Sequence, residues 1–171
     1  MQPQDGFEAL DACHRDMLVK LGELSSLVGR LGDDDPDAAA RAQAAEIVRF
    51  FSGTSRQHHL DEEQHIFPAL LASANEELAR AVGRLRQDHG WLEEDWLELE
   101  PQLDALASGQ AWVDIPTLRE GTDIFVALLR DHVALEESFI YPEARATMPE
   151  AARHEMGREM AARRRAKRRN A

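Results

Sequence analysis

Hydrophobic positions along the chain recur at the spacing of amphipathic helices, and they group into four long segments. The first segment runs from about Gly6 to Leu31, and the second ends at Pro68. The third opens at Asn75, and the fourth begins at Pro116. No stretch of useful length shows the alternating pattern of a β-strand. The pattern therefore predicts an all-α protein.

Clusters of helix-breaking residues separate the four segments and predict where the helices begin and end. Acidic residues, Gly and Pro form a loop over residues 32–36, after which Asp35 or Asp37 caps the second helix. We expect Pro101 to bend or fray the third helix near its end. Short connections between four amphipathic helices are typical of an up-down-up-down four-helix bundle.

The charge divides the chain into an acidic body and a basic end. The net charge of −12 combines 12 Lys+Arg against 30 Asp+Glu in residues 1–150 with 8 against 2 in residues 151–171. We predict that residues 1–148 form the bundle and that residues 149–171 form a basic C-terminal extension, helical at first and frayed at its end. The acidic body disfavours binding of nucleic acid, which leaves the Arg-rich tail as the one candidate surface for it.

The composition is that of a globular protein in a reducing compartment. Of the 171 residues, 43% are hydrophobic and 30% are charged, enough for one domain with a real core. The sequence contains no membrane-spanning apolar run and does not begin with a signal-peptide pattern. Its one cysteine, Cys13, cannot form an internal disulfide, and we expect it to be a buried, inert thiol. These features predict a cytoplasmic protein.

Two copies of one motif carry the candidate chemistry. His58 precedes Glu62 by four residues, and His132 precedes Glu136 by the same spacing. In each copy a second Glu follows the first, and a Pro comes six residues after the first Glu. Positions four apart share a helix face, so each copy directs one imidazole and one carboxylate the same way.

A histidine on each of the other two helices completes the pattern. His14 precedes His58 by 44 residues, and His89 precedes His132 by 43. A single histidine in an apolar stripe is more often a hydrogen-bonded core residue than a ligand. Four together, two with Glu at the fourth position, are costly to bury without a metal. Mixed imidazole and carboxylate donors in a bundle core are typical of di-iron or di-manganese centres.

The order and the flanking residues resemble those of the hemerythrin-like family of HHE cation-binding domains over about residues 7–147. The resemblance implies a four-helix bundle that holds two non-haem iron ions joined by an oxo or hydroxo bridge. Zn and Mn remain alternative metals. By that resemblance Glu62 and Glu136 bridge the metals, and the ligands are His14, His58, Glu62, His89, His132 and Glu136.

The chain also departs from the oxygen-carrying members of that family. Those proteins have a second histidine where this chain has Glu93, and an Asp five residues after the histidine where this chain has Glu137. Both glutamates are therefore candidate extra ligands. Carboxylates favour higher oxidation states, so redox chemistry with O2 or peroxide is as well supported as reversible oxygen carriage.

The predicted function is binding or sensing of O2, NO or peroxide at this site. The alternatives are a redox enzyme that consumes peroxide or oxidises iron, and a regulatory module that the metal merely stabilises. The sequence does not decide whether the protein is an enzyme.

Three residues near the motif, His59, His65 and Tyr141, are predicted to have structural roles. His59 and His65 have no histidine counterpart in the second copy. We expect His59 to face a helix boundary or solvent, and His65 to make a simple polar contact. Tyr141 is predicted to pack beyond the site rather than to offer its phenol to a ligand of the metal.

Overall fold

Every regular element of the protein is helical in the computed structural model, which describes residues 5–32, 34–110 and 112–170. Two π-helical segments, Phe50–Ser55 and Glu136–Ile140, interrupt the α-helices of these ranges. In chain order, the α-helices are α1 (Gly6–Arg30), α2 (Ala38–Arg49), α3 (Arg56–His65), α4 (Phe67–Leu71), α5 (Glu76–Ala107), α6 (Ile115–Leu135), α7 (Tyr141–Thr147) and α8 (Glu150–Arg169).

Polar side chains cap three of the long helices at the predicted breaks. The Asp37 carboxylate accepts a hydrogen bond from the Ala40 amide at 2.7 Å, which places the start of α2 after Asp37 rather than after Asp35. Asn75 caps α5, and Asp114 caps α6. Each cap satisfies an amide that has no partner inside its own helix.

The prolines behave differently according to their position. Pro68 and Pro142 both lie in the first turn of a short helix, where a missing amide costs little. Pro101 does not fray α5, because the helix continues to Ala107, and the predicted bend stays a prediction. Leu99 and Leu103 are buried on either side of Pro101, so their packing outweighs the lost backbone hydrogen bond.

The helices pack in a manner consistent with a helical bundle. Helix α1 packs against α2, α6 and α8, and α5 packs against α2 and α6. Their buried side chains form two hydrophobic clusters, one around Leu21, Phe51 and Leu103 and the other around Phe7 and Leu85. On α1, His14 lies between Leu10 of the second cluster and Met17 of the first, and on α5, His89 lies between Leu85 and Leu92 in the same way. Apolar packing therefore lies on both sides of the predicted site along these two helices.

The C-terminal segment is more structured than its composition suggests. Helix α8 runs to Arg169, and Met156 and Met160 are buried in the same cluster as Phe7. The apolar contacts of these methionines anchor the first half of a helix whose second half is strongly basic. The boundary between residues 148 and 149 stays a prediction. None of the helices described is long and apolar enough to cross a membrane.

The contact between α1 and α8 predicts the effect of adding a methyl group at Gly6. A Cβ atom there would lie 2.7 Å from Met156 Cγ and 3.1 Å from Met156 Cβ. We expect Gly6→Ala to lower the free energy of unfolding by about 1–3 kcal/mol, measured by urea denaturation.

The matched control is Gly22→Ala, in the interior of the same helix. A Cβ atom at Gly22 meets no atom of the described residues within 4 Å. This change is expected to be neutral or to raise stability by up to about 1 kcal/mol, because Ala favours the helix over Gly. Equal stability of the two variants would contradict the close packing of α8 on α1.

Candidate metal centre

The structure brings the six residues predicted as metal ligands into one buried group. None of their side chains belongs to a residue more than 7% exposed, and Glu62 and Glu136 are fully buried. Five elements contribute to the group, because α1, α3, α5 and α6 meet at this level and the second π-helical segment begins there. The buried residues are His14, His58, Glu62, His89, His132 and Glu136.

The two π-helical segments lie next to the ligand motifs. Phe50–Ser55 ends three residues before His58, and Glu136 is the first residue of Glu136–Ile140. A π-helical turn holds more residues than an α-helical turn, so it changes which residues face the core beyond it. Such segments are frequent at functional sites, and here one stands at each copy of the motif.

Glu62 joins two halves of the group. Its Oε1 atom lies 3.0 Å from Nε2 of His58, and its Oε2 atom lies 3.3 Å from Nε2 of His89. The first histidine is on the same helix as Glu62, whereas the second is on α5. One carboxylate therefore reaches imidazoles on both sides of the site.

Glu136 makes the corresponding link between α6 and α1. Its Oε1 atom lies 3.0 Å from Nε2 of His132, and its Oε2 atom lies 3.1 Å from Nε2 of His14. The two glutamates thus have similar surroundings, each with an imidazole nitrogen near each oxygen. This symmetry follows from the repeated motif in the sequence.

Several of these close contacts lack the geometry of hydrogen bonds. Both carboxylate oxygens of Glu136, and Oε2 of Glu62, are buried without a hydrogen-bond partner among the described residues. Nε2 of His89 and Nε2 of His132 face one another at 3.1 Å. Acceptor atoms that converge without donors between them fit a site for a cation. Two inner groups of donor atoms within 4.8 Å share Glu62, namely His14, His58, Glu62 and Glu136, and His59, Glu62, His89 and His132. A third group, Asp11, His14 and Glu137, lies at the outer edge of the His14 ring.

The prediction that His59 faces a helix boundary or solvent is wrong. Its ring stacks on that of His89 with centroids 4.2 Å apart, and it lies 5.4 Å from that of His132. His58 and His59 are about 100° apart on α3. Because α3 borders both halves of the site, His58 faces α1 while His59 faces α5 and α6. The His-His pair was the available signal, but comparison with the second copy, which has Val133, concealed it.

The two extra glutamate candidates do not enter the central group. Glu93 forms a two-point ion pair with Arg56, with contacts of 2.6 and 2.9 Å, and its side chain is 45% exposed. Its carboxylate is therefore engaged outside the site. Glu137 contacts the outer edge of the His14 ring, with Oε1 3.1 Å from Nδ1. Glu137 therefore holds the ring of His14, a candidate ligand, and is not one of the inner donors.

Carboxylates occupy the outer edge of two further histidines, and the sequence pattern did not identify them. Glu63 Oε1 lies 2.8 Å from Nδ1 of His89, and the buried Asp88 lies 3.4 Å from Nδ1 of His132. A carboxylate at the second nitrogen fixes the tautomer and orientation of a metal-binding imidazole. His65 instead contacts Glu159 of α8, the polar contact predicted for it.

Tyr141 lies inside the group, although packing beyond the site was predicted for it. Its hydroxyl donates a short hydrogen bond to Oε1 of Glu62 and lies 3.2 Å from Nε2 of His14. Its ring stacks on the His14 ring with an interplanar angle of 4°. The second π-helical segment changes the register just before Tyr141, and the spacing argument for a regular helix did not include that change.

Burial and mutual contact shift the pKa values of these groups in opposite directions. Burial alone would lower the pKa of His132, but the Glu136 carboxylate and Asp88 overcome it and raise the pKa to about 10. Burial likewise opposes ionisation of Glu62, yet the neighbouring His58 and His89 hold its pKa well below the usual range. Burial and the nearby His89 lower the pKa of His59. Without a metal, protons on the imidazoles compensate the buried carboxylates.

Comparison with known proteins agrees with this chemistry. A family model described as the hemerythrin HHE cation binding domain matches residues 5–144. An uncharacterized protein of Haemophilus influenzae is 31% identical over 160 residues, which cover 94% of this chain and 90% of the relative. The matched region contains every donor of the two groups. A cation is therefore the ligand that the buried His and Glu side chains fit.

The raised pKa of His132 predicts how the metal-free protein responds to pH. A group with pKa about 10 when folded and about 6.5 when unfolded stabilises the fold fully below pH 6.5. That contribution is lost as the pH rises toward 10. We expect the melting temperature of the metal-free protein to fall over this range, as measured by circular dichroism.

His132→Gln should make this dependence shallower, because Gln cannot hold the proton, while the raised pKa of His58 maintains part of the slope. His154→Gln, which changes a histidine of α8 outside the donor groups, should keep the wild-type slope. A wild-type slope in the His132 variant would refute the assignment of the raised pKa to this group.

Proposed function

Because the chain belongs to the hemerythrin HHE cation-binding family, we propose that it holds two non-haem iron ions and binds or senses O2, NO or peroxide. The proposal includes an up-down-up-down order of the four long helical segments and a cytoplasmic location. The observation that carries it is the pair of buried glutamates, each with imidazole nitrogens at both carboxylate oxygens.

Each ion would be held by imidazoles from different helices. His14 and His58 would hold one ion, and His59, His89 and His132 would hold the other. Glu62 and Glu136 would hold the ions together with these histidines, in keeping with the contacts of each carboxylate to both sets of imidazoles. The unequal number of imidazoles makes the two positions chemically different.

The donor count leaves room for a small ligand. Five imidazoles and two bidentate carboxylates offer nine donor atoms, whereas two octahedral ions would need about twelve. Bound iron in such a site supplies reversible binding or redox chemistry toward O2, NO or peroxide. Apolar clusters on both sides restrict water at the site and favour small uncharged ligands.

The surrounding residues hold the donors in place. Glu137, Glu63 and Asp88 orient the rings of His14, His89 and His132 through their Nδ1 atoms. The Tyr141 hydroxyl keeps its proton, because burial and the Glu62 carboxylate raise its pKa well above the usual value. Tyr141 thus donates a hydrogen bond that fixes one oxygen of Glu62.

Tyr141 also supports the second candidate function, a redox enzyme at the same site. A phenol is an oxidisable group, and this one touches Glu62 and lies 3.4 Å from Nε2 of His58. Consumption of peroxide or oxidation of iron would use such a group as a donor of an electron and a proton. In a module in which metal only stabilises the bundle, the phenol would serve only to hold Glu62.

Metal content after reconstitution tests the proposed centre. We expect about two iron ions per wild-type chain, with absorption from the bridged iron after exposure to air. Glu62→Gln should lose most of the iron, because an amide cannot serve as an anionic bridge. Glu93→Gln is the matched control, since Glu93 pairs with Arg56 outside the donor groups, and it should retain the wild-type content.

Three results would contradict the centre as assigned. Wild-type protein that takes up no iron under anaerobic reconstitution would refute the iron proposal, and full loading with Zn or Mn would identify the metal instead. Equal iron loss in both glutamine variants would show that Glu62 has no special role.

Turnover separates binding from enzymatic function. A sensor or binding protein should react with peroxide in a fixed ratio to its iron, whereas an enzyme should consume many equivalents per centre. In the enzymatic case Tyr141→Phe should lower the steady rate by roughly ten-fold or more and leave the iron content unchanged. Stoichiometric reaction in wild type and variant alike would exclude the enzyme.

A further inference from the structure

His58 differs from the other histidines that the sequence predicted as ligands. The Nδ1 atoms of His14, His89 and His132 each contact a carboxylate, whereas Nδ1 of His58 is buried and contacts no carboxylate in the described part of the chain. The Nε2 edge of this ring faces Glu62. When Nε2 binds a metal, Nδ1 carries a proton and needs an acceptor.

A cavity of ≈ 390 Å³ lies beside His58, on the side of the bundle covered by α8. Its walls come from α1, the end of α2, the segment Phe50–Ser55, α3 and α8. The buried His58 and Cys13 both line it, and the Cys13 thiol lies next to the His58 ring. The volume falls in the range of pockets that hold small molecules.

Cations dominate the lining of this cavity. Arg49, Arg164, Lys167 and Arg168 contribute to it, against the acids Asp16 and Asp61. Asp61 is already engaged in an ion pair with Arg163. Within the ranges that the structure describes, none of the four cations has a carboxylate within 4.0 Å, although the chain carries a net charge of −12. Other arginines of α8, Arg153 and Arg158, do form ion pairs.

We propose that this cavity is a binding site for a small anion with two or more charged oxygens, a carboxylate or a phosphate. The unpaired cations of α8 and α2 would bind the oxygens, and the anion would lie against the wall formed by Cys13 and His58. Binding depends only on the cavity and its charges. Its coupling to the metal through His58 rests on the proposed function.

The position of α8 gives the site a physical consequence. Arg164, Lys167 and Arg168 repel one another on one side of this helix, and a bound anion would relieve that repulsion while joining α8 to Arg49 of α2. The bound anion would therefore stabilise the folded chain by mass action. An anion bound in this cavity would in this way influence the metal centre without entering it.

Calorimetric titration of the metal-free, full-length protein tests the binding. Inorganic phosphate and succinate are titrated separately, so that the tighter of the two identifies the source of the charged oxygens. The test variant is Arg164→Ala with Arg168→Ala. We expect it to bind the preferred anion roughly ten-fold more weakly or worse, because two charge-assisted hydrogen bonds are lost.

The matched control is Arg165→Ala with Arg169→Ala. It removes the same charge from the exposed face of the same helix, but neither residue lines the cavity. Its affinity should stay within about two-fold of wild type, since remote exposed charges are screened. Circular dichroism confirms that both variants keep their helical content.

Comparison of the two double variants distinguishes a specific binding site from a general attraction of anions to the basic helix. Equal weakening in both double variants, or binding of neither anion by wild type, would overturn the proposal. With iron bound, the preferred anion should also shift the absorption of wild type and control but not of the test variant. Anion binding without a spectral shift would refute only the coupling between the cavity and the metal. If the protein failed to load iron, the proposed metal centre would be refuted, but the titration of the metal-free protein would still show whether the cavity binds an anion.

Discussion

The burial of ionisable side chains at mid-length in a helical bundle is the constraint on which the rest of the structure depends. Five imidazoles and two glutamates share this space, and both glutamates are fully buried. A buried charge is costly unless an opposite charge or a metal compensates it. In the metal-free chain protons provide that compensation, which is why the pKa of His132 rises while that of Glu62 falls. A cation would replace those protons, so binding of metal and release of protons are linked.

The architecture around the donors follows from the same constraint. Hydrophobic clusters at both ends supply the stabilising burial that the polar middle lacks. Outer carboxylates from Glu63, Asp88 and Glu137 hold three rings in defined orientations. The second π-helical segment adjusts the register just after Glu136, which brings Tyr141 into the group. The hydrophobic clusters, the outer carboxylates and the local helix geometry therefore together fix the positions of a few donor atoms.

Helix α8 adds an asymmetry to a nearly symmetric site. The repeated motif places one His-Glu pair on each side, but α8 covers only the side of His58. Its methionines pack on the core, and its basic residues surround a cavity next to the one predicted ligand whose outer nitrogen contacts no carboxylate of the described residues. The Arg-rich end is thus placed beside the centre, whereas its composition alone suggests a solvated tail.

The sequence by itself determined the helical class and predicted the six candidate donors that the structure brings together, because helix periodicity converts spacing into direction. His58 and Glu62 four residues apart must share a face, and the second copy at His132 and Glu136 repeats the argument. Only the tertiary structure decided the inclusion of His59 and Tyr141, the exclusion of Glu93 and the place of α8. The angular position of a residue around its own helix does not determine which neighbouring helix its side chain contacts. A π-helical turn also changes that angular position locally. Which side chains of different helices come into contact depends on how the helices pack, and that packing depends on the whole chain.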